Sequence, residues 1–500
     1  MAPSAAAVEM DTGSTQAPRE SIGRVSARDG SAETTELVVI GGGITGCAVA
    51  RDAAARGIAT VLVERRDLAA GTSGRSTKLL HGGLRYLEKG QLGLVRQALR
   101  EREITARLAP GLAQPMPFIV PIWPGASPGR LKARIGVALY QLLAGPGSLP
   151  PARGVGAEEI ARLVPGLRTG YLGGVGFADR QTDDVRLTVA MAMDALRRGA
   201  SIRLGMAVDE VRTDGRRHQL ICRHEDGARF VLHAGAVINA AGAWADIVRR
   251  SSGRSGPLLR ASRGAHLVLR GLPLGAAVLL SGERPGHRIF AIPWRDATLF
   301  GTTDVEDEGP PGRDDPEVED LSLLFREARR LFPEASLTRR NVVSAFTGVR
   351  PLVRQTGDTL HASREHAVHD EDGLITIVGG KLTTWRVMAI DAVDRAAERL
   401  GHRAPSPAAL LDEPLPRGAG PLTLDAVLEE ELPRHAEDVV FRRLTLGHDP
   451  AEIRRVLPTV VARMAACFAW GRERSEDEAG RVETIIAAMT QRIDDAIGRA

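Results

Sequence analysis

The chain has 500 residues, long enough for more than one domain and a large core. It is 43% hydrophobic and 26% charged with a formal net charge of +4, a globular balance that gives no reason to expect nucleic acid as a partner. No apolar run is long enough to span a bilayer. Three scattered cysteines, Cys47, Cys222 and Cys467, suit a reducing cytoplasm better than a disulfide framework. None has metal-ligand spacing, and no metal site is expected.

Of 66 basic residues only four are lysines, Lys78, Lys89, Lys132 and Lys381. Where arginine has replaced lysine so thoroughly, a retained lysine marks a place that needs a compact ammonium rather than a planar fork. Lys78 and Lys381 fall in motifs described below; Lys89 and Lys132, in polar contexts, read as chance retention.

Residues 1–33 are rich in Ala, Ser, Gly and charge and read as a disordered tail without a signal-peptide core. The pattern then changes. Residues 37–40 form an apolar strand, 41–46 (GGGITG) a tight turn, 47–56 a small-residue helix stopped by Gly57, and 59–63 a second apolar strand ending on Glu64. This is a parallel βαβ unit with Cys47 buried in its helix. Strands follow at 202–211, 219–223, 229–232 and 236–239. Further apolar or alternating runs at 265–269, 278–280, 289–292 and 298–301 predict an antiparallel sheet in a second domain. A last strand, 374–378, meets Gly379 and Gly380 and then a helix over 382–400. Past a Pro-rich linker at 404–416 the chain reads as helical from 425 to 491. The fold class is α/β, with a Rossmann-like domain, an antiparallel-sheet domain and a C-terminal helical domain.

In the glycine turn, Gly41 permits the bend, Gly43 lets backbone amides approach a pyrophosphate, and Gly46 lets the helix pack close to the strand. The helix start at Ile44 and Thr45 offers amides and positive dipole to phosphates. Glu64, 18 positions after Gly46, accepts from ribose hydroxyls. FAD and NAD share this fingerprint. The next segment, rich in small and hydroxyl residues, points to FAD: Thr72, Ser73, Ser76, Lys78 and Leu79 run under an extended ligand, and His81, Gly82 and Gly83 end it where backbone must approach a ring. Val208, Ala241 and Gly242 join the cofactor set. So do Gly380, Lys381, Leu382 and Thr383, at a helix start able to stabilise negative charge on the reduced flavin.

Six segments resemble the FAD-dependent glycerol-3-phosphate dehydrogenase family, within the D-amino-acid-oxidase-like flavoproteins: 40–46, 76–88 (STKLLHGGLRYLE), 292–294 (IPW), 301–304 (GTTD), 347–352 (TGVRPL) and 379–384 (GGKLTT). Residues 437–444 also resemble a helix of its C-terminal region, which is shorter here. The resemblance implies an FAD domain over roughly 34–115, 180–250 and 340–400, a substrate domain over 116–179 and 251–339, and a helical domain over 417–500. It also implies oxidation of sn-glycerol 3-phosphate at C2 to dihydroxyacetone phosphate, with electrons passing to quinone, or to oxygen in the oxidases. Carried over by motif, Arg85, Tyr86, Arg364 and Lys381 hold the phosphate and Arg350 faces the reacting hydroxyl. His266 matches a histidine near the substrate, and His266 or His81 takes the hydroxyl proton.

Asp304, Asp183 and Asp184 read as capping or loop-ordering residues rather than catalytic acids. Residues 135–144, behind Arg130, Lys132 and Arg134, read either as a buried helix or as an interfacial amphipathic segment. A homodimer, and a cytoplasmic protein resting on the inner face of the membrane, stay open. Two rival functions do as well: a flavin oxidase of another small hydroxy or amino substrate, and a flavin-binding protein without activity.

Overall fold

A computed structural model describes residues 32–88, 90–125, 129–145, 149–215, 217–284, 286–307, 309, 311–312, 315–354, 365–402, 413–415, 423–446 and 449–499. Most of the expected tail and linker, Lys89 and Arg364 lie outside them, as do the side chains of Arg85 and Arg130.

Alternating apolar residues build the first sheet. Strands Leu374–Gly379, Arg229–Asn239, Ala32–Ile40, Thr60–Glu64 and Ser201–Leu204 lie side by side and parallel, with His366–Glu371 antiparallel at one edge. One face, through Leu37, Val39, Leu62 and Ile238, packs on helices Ile44–Ala55, Asp184–Arg197 and Trp385–Leu400. The other, through Val38, Val61 and Val237, is covered by the antiparallel strands Met206–Asp214 and Arg217–His224.

Two expectations change here. The single strand at 202–211 is broken at Gly205, whose φ of +66° turns the chain and whose N–H donates to Arg66 O at 3.1 Å. The two strands at 229–232 and 236–239 are one, Arg229–Asn239. Gly235 is no break. It is the point where the last turn of helix Trp385–Leu400 comes closest, and an added Cβ would sit 2.6 Å from Leu400 Cδ2.

The second sheet is largely antiparallel. Its path runs Val305–Glu306, Leu259–Leu269, Ala297–Gly301, Arg288–Trp294, Ala277–Ser281, Ala113–Pro121, Gly174–Thr182 and Leu79–Leu80. Val342–Val353 pairs along nearly the whole of Leu259–Leu269, so this strand, expected in the first domain, belongs by hydrogen bonding to the second sheet. The second sheet thus supplies Arg350 and roofs the carboxyl ends of the parallel strands. Helix Val318–Leu331 packs on one of its faces, and helices Leu92–Leu108 and Arg130–Ala144 on the other.

The C-terminal region is helical as expected, with Leu424–Glu430, Asp438–Arg443, Pro450–Phe468 and Arg472–Gly498 around a core of its own. Among the described residues no helix is long and apolar enough to cross a membrane.

Gly235→Val is expected to lower unfolding stability by about 1–3 kcal/mol through overpacking against Leu400. A denaturant titration showing no loss would remove the close-approach explanation for this glycine.

Candidate active site

The glycine turn closes because Gly41 and Gly46 carry no β-carbon. Gly41 has a φ of +113°, and a Cβ on Gly46 would lie 1.9 Å from Gly41 O. Helix Ile44–Ala55 can therefore start directly over strand Ala32–Ile40. No side chain of its N-cap Gly43 caps it, which leaves the helix start facing a cleft of about 470 Å³. Ser73 Oγ accepts from Ile44 N–H at 2.9 Å, and Glu64 accepts from Gly42 N–H at 2.7 Å and Arg66 N–H at 2.8 Å. Burial pushes the Glu64 carboxyl up, against those two amides.

Most of the expected cofactor residues share this cleft. Gly41, Gly43, Ile44, Thr45 and Glu64 form one end, and Thr72, Ser73, Ser76, Leu79 and His81 continue along it. Val208, Ala241 and Gly242 form a wall; Gly380, Lys381, Leu382 and Thr383 close the far end.

Four do not face the cleft. Gly46 serves the helix–strand packing. Gly82 donates its N–H to Tyr140 Oη at 2.7 Å, and a Cβ there would meet Leu99 and Tyr140. Gly83 opens on a second cavity and makes room for the Tyr86 ring. Lys78 has a buried ammonium 2.5 Å from Asp184 Oδ1. Its compact charge is needed there for an ion pair, not for a phosphate.

Asp184 is fully buried and also accepts from Ser76 N–H at 2.9 Å and Ser76 Oγ at 2.7 Å. It orders the loop, as its type suggests, and Asp183 caps the following helix by accepting from Arg186 N–H. Removing one member of a buried pair such as Lys78–Asp184 typically costs about 3–5 kcal/mol.

A second cavity of about 400 Å³ adjoins the cleft, and Thr77, Leu79, His81, Tyr86 and Arg350 wall both. At this junction the ammonium of Lys381 lies 3.8 Å from the centre of the buried Tyr86 ring, a cation–π contact. Arg350 donates through Nη2 to Thr302 Oγ1 at 2.8 Å and Thr303 O at 3.2 Å, and through Nη1 to Ser262 Oγ at 3.2 Å. Asp304 stands 3.6 Å from Nη1 and accepts from Ser262 Oγ at 2.5 Å, so it holds Arg350 in place. Gly264 leaves the necessary space: a Cβ there would lie 2.2 Å from Arg350 Nη2. Arg85 stands beside Tyr86 on the short helix Leu84–Glu88.

His266 departs from its expected role as a base. It is buried, stacked on Phe346, with Nε2 3.0 Å from Thr77 Oγ1. Burial, reinforced by the charges of Arg350 and Lys78, pushes its pKa down to about 3. A ring so reluctant to be charged is a poor proton acceptor near neutral pH. His81, which opens on both cavities, is better placed.

Several residues escaped the sequence reading. Arg65, Arg66 and Trp244 border the cleft, with the Arg65 guanidinium 4.8 Å from the Trp244 ring centre. Arg66 and Trp244 lie in the segments 66–88 and 239–244 that also carry expected cofactor residues, and Arg65 directly follows Glu64. Thr77 and Thr302 lie within the motifs 76–88 and 301–304, where nothing local marks their hydroxyls, and the Tyr140–Asp179 hydrogen bond beneath Gly82 has no local signal.

A phosphate-binding helix start, an acid at the end of the next strand, and a cation-bearing second cavity under an antiparallel roof define a dinucleotide-dependent flavoprotein oxidoreductase. The residues fit FAD, because one uninterrupted cleft joins Gly43 and Glu64 to Lys381 and Arg350.

The chain belongs to the DAO family of FAD dependent oxidoreductases, whose sequence model matches residues 36–386. It is 36% identical over 375 residues to a Staphylococcus epidermidis protein named aerobic glycerol-3-phosphate dehydrogenase, covering 73% of this chain and 67% of that one. It is 37% identical over 386 residues to glycerol-3-phosphate dehydrogenase 2 of Mycobacterium tuberculosis, covering 75% and 65%. Its fold matches a crystal structure of glycerol-3-phosphate dehydrogenase from Bacillus halodurans complexed with FAD. That match has a TM-score of 0.75 at 27% identity and covers 91% of this chain and 95% of that one.

His266 and His218 are both pushed down, to about 3 and about 4, chiefly by burial. The unfolded chain therefore binds protons that the folded chain refuses, and stability falls as pH drops from about 6.5 towards 4. Each histidine contributes a slope of up to about 1.4 kcal/mol per pH unit. His218→Gln, remote from the cleft, should flatten that part of the stability–pH curve; an unchanged slope would show that His218 is protonated in the folded protein.

Proposed function

We propose that the protein oxidises sn-glycerol 3-phosphate at C2 to dihydroxyacetone phosphate, with electrons passing on from FAD to a quinone. The observation that carries this reading is the junction of the two cavities, where Lys381, Tyr86 and Arg350 converge. The names of the matched relatives point the same way.

A phosphomonoester dianion calls for several cationic donors, each charge-assisted hydrogen bond contributing about 1.5–3 kcal/mol. Lys381 supplies one, with Tyr86, Arg85 and Arg364 completing the set in this reading. FAD, held by the glycine turn, Glu64 and the segment 380–383, would supply the two-electron acceptor for the hydride leaving C2. Arg350, held by Ser262, Thr302 and Thr303, stabilises the charge that develops on the substrate oxygen without having to reorganise. His81 takes the hydroxyl proton, and His266 orients Thr77 as a neutral ring.

Phe118, Phe290, Val137 and Leu139 give the second cavity a largely apolar stretch of wall, with Lys132, Asp179, His287, Arg288 and Asp304 also bordering it. The apolar stretch suits the ring of a lipophilic acceptor. On the outer face of helix Arg130–Ala144, Leu131, Ile135 and Leu142 are 72%, 59% and 76% exposed beside Lys132 and Arg134. Such a face fits peripheral contact with an anionic membrane surface, where a quinone is available.

The purified protein is expected to be yellow and to be bleached anaerobically by glycerol 3-phosphate. Flavin that stays oxidised with this substrate yet is reduced by an amino acid would favour the rival oxidase. Lys381→Ala should raise KM about 30-fold or more, equivalent to about 2 kcal/mol, with flavin still bound. Loss of flavin instead would move Lys381 from substrate to cofactor binding. Faster turnover with oxygen than with a quinone analogue would overturn the acceptor.

A further inference from the structure

The loop at 65–74 has two sides. One borders the cofactor cleft through Arg65, Arg66, Ala70, Gly71, Thr72 and Ser73. From its middle, Asp67 points the opposite way, into the C-terminal bundle, and is only 2% exposed. Its Oδ1 accepts from Arg443 Nη2 at 2.6 Å. Its Oδ2 accepts from Arg443 Nη1 at 2.8 Å and Arg442 Nε at 2.5 Å. Burial pushes this carboxyl up, but the charges of Arg443 and Arg442 outweigh it and hold it at about 2.

The grip is itself braced. Arg443 is fully buried and also donates through Nε and Nη2 to Glu431 O at 3.1 and 3.0 Å. The Glu431 carboxylate accepts both Nη1 and Nη2 of Arg186, each at 2.7 Å. Arg186 stands two residues after Asp184, the carboxylate that holds Ser76 and Lys78 along the same cleft. The segment Asp438–Arg443 is wound as a π-helix, and two consecutive arginines on it reach one carboxylate. None of Asp67, Glu431, Arg186, Arg442 or Arg443 borders either cavity.

The loop needs such support. Ala69 sits at φ +59°, a left-handed conformation that costs a residue with a β-carbon, while its N–H donates to Gly42 O at 3.0 Å and ties the loop to the glycine turn. Strained backbone of this kind persists only where its surroundings over-determine it.

We propose that the C-terminal bundle is part of the cofactor-binding apparatus: by gripping Asp67, Arg442 and Arg443 hold loop 65–74 in the shape that meets FAD, so FAD binding and bundle docking are coupled. This rests on the assignment of the cleft to FAD and is independent of the substrate. Asp67, Arg442 and Arg443 are positioning residues. The coupling is reciprocal: whatever stabilises the loop from the cleft side also stabilises the docked bundle.

The test uses the full-length protein stripped of flavin. Asp67→Asn should raise the FAD dissociation constant at least tenfold, which is about 1.4 kcal/mol, with Arg442→Gln doing so by less. KM for glycerol 3-phosphate at saturating FAD should stay within twofold. Adding FAD to the unaltered apoprotein should slow amide hydrogen exchange across 438–444, a segment that borders neither cavity. FAD affinities within twofold of the parent in both variants would overturn the proposal, as would exchange at 438–444 that ignores FAD. If Asp67→Asn does not fold, Arg442→Gln and the exchange measurement decide. An unaltered protein that bound no FAD would overturn the cofactor assignment as well, which separates the two failures.

Discussion

The approach of helix Ile44–Ala55 to strand Ala32–Ile40 governs the geometry of the whole cleft. A β-carbon on Gly46 would fall 1.9 Å from Gly41 O, so the helix can begin where it does only if that position carries none. From this contact follow the aim of the helix start into the cleft, the reach of Glu64 across the turn to Gly42 N–H, and the crevice at the carboxyl ends of the parallel strands. A crevice there is the usual ligand site of such sheets. Everything further along the cofactor path is measured from that point.

Charge, rather than further hydrophobic burial, shapes the parts that must be exact in position. Asp184 anchors Ser76 and Lys78, Asp304 steadies Arg350, and Asp67 receives two arginines. A buried pair of this kind adds little net stability over an apolar substitute, but breaking it is costly. It therefore disfavours alternative loop conformations more than it raises the stability of the fold. The almost complete use of arginine suits this arrangement, since its planar fork satisfies a carboxylate through two parallel hydrogen bonds, as Arg443 and Arg186 do.

The two sheets divide the lining of the site between them. The parallel sheet holds the dinucleotide end, where backbone amides and small residues dominate. The antiparallel sheet brings Arg350, Thr302 and Phe290 over the far end and closes it with aromatic and aliphatic side chains. Tyr86, on the short helix Leu84–Glu88, and Lys381, at the N-cap of the helical turn Leu382–Thr384, meet although they lie far apart along the chain.

The local elements were legible because they rest on short-range rules. The βαβ unit, the antiparallel runs, the helical C-terminal region and most cofactor-path residues follow from apolar periodicity and from glycines at fixed offsets. Capping by Asp183 was legible for the same reason: a side chain reaching its own helix needs no distant partner. What depended on partners far along the chain was not. Lys78 stood in a diagnostic motif, yet its charge is spent on Asp184, 106 residues away. His266 matched a histidine near a substrate, but its burial against Phe346 and beside Arg350 keeps it neutral. The strand at 342–353 belongs to the second sheet because its hydrogen bonds run to 259–269. Spacing in the chain thus established the cofactor class and the cationic motifs. Which charges face the cleft and which are consumed in the interior was decided by folding, because a charge acts on whatever lies within a few ångströms, and sequence alone does not give that distance.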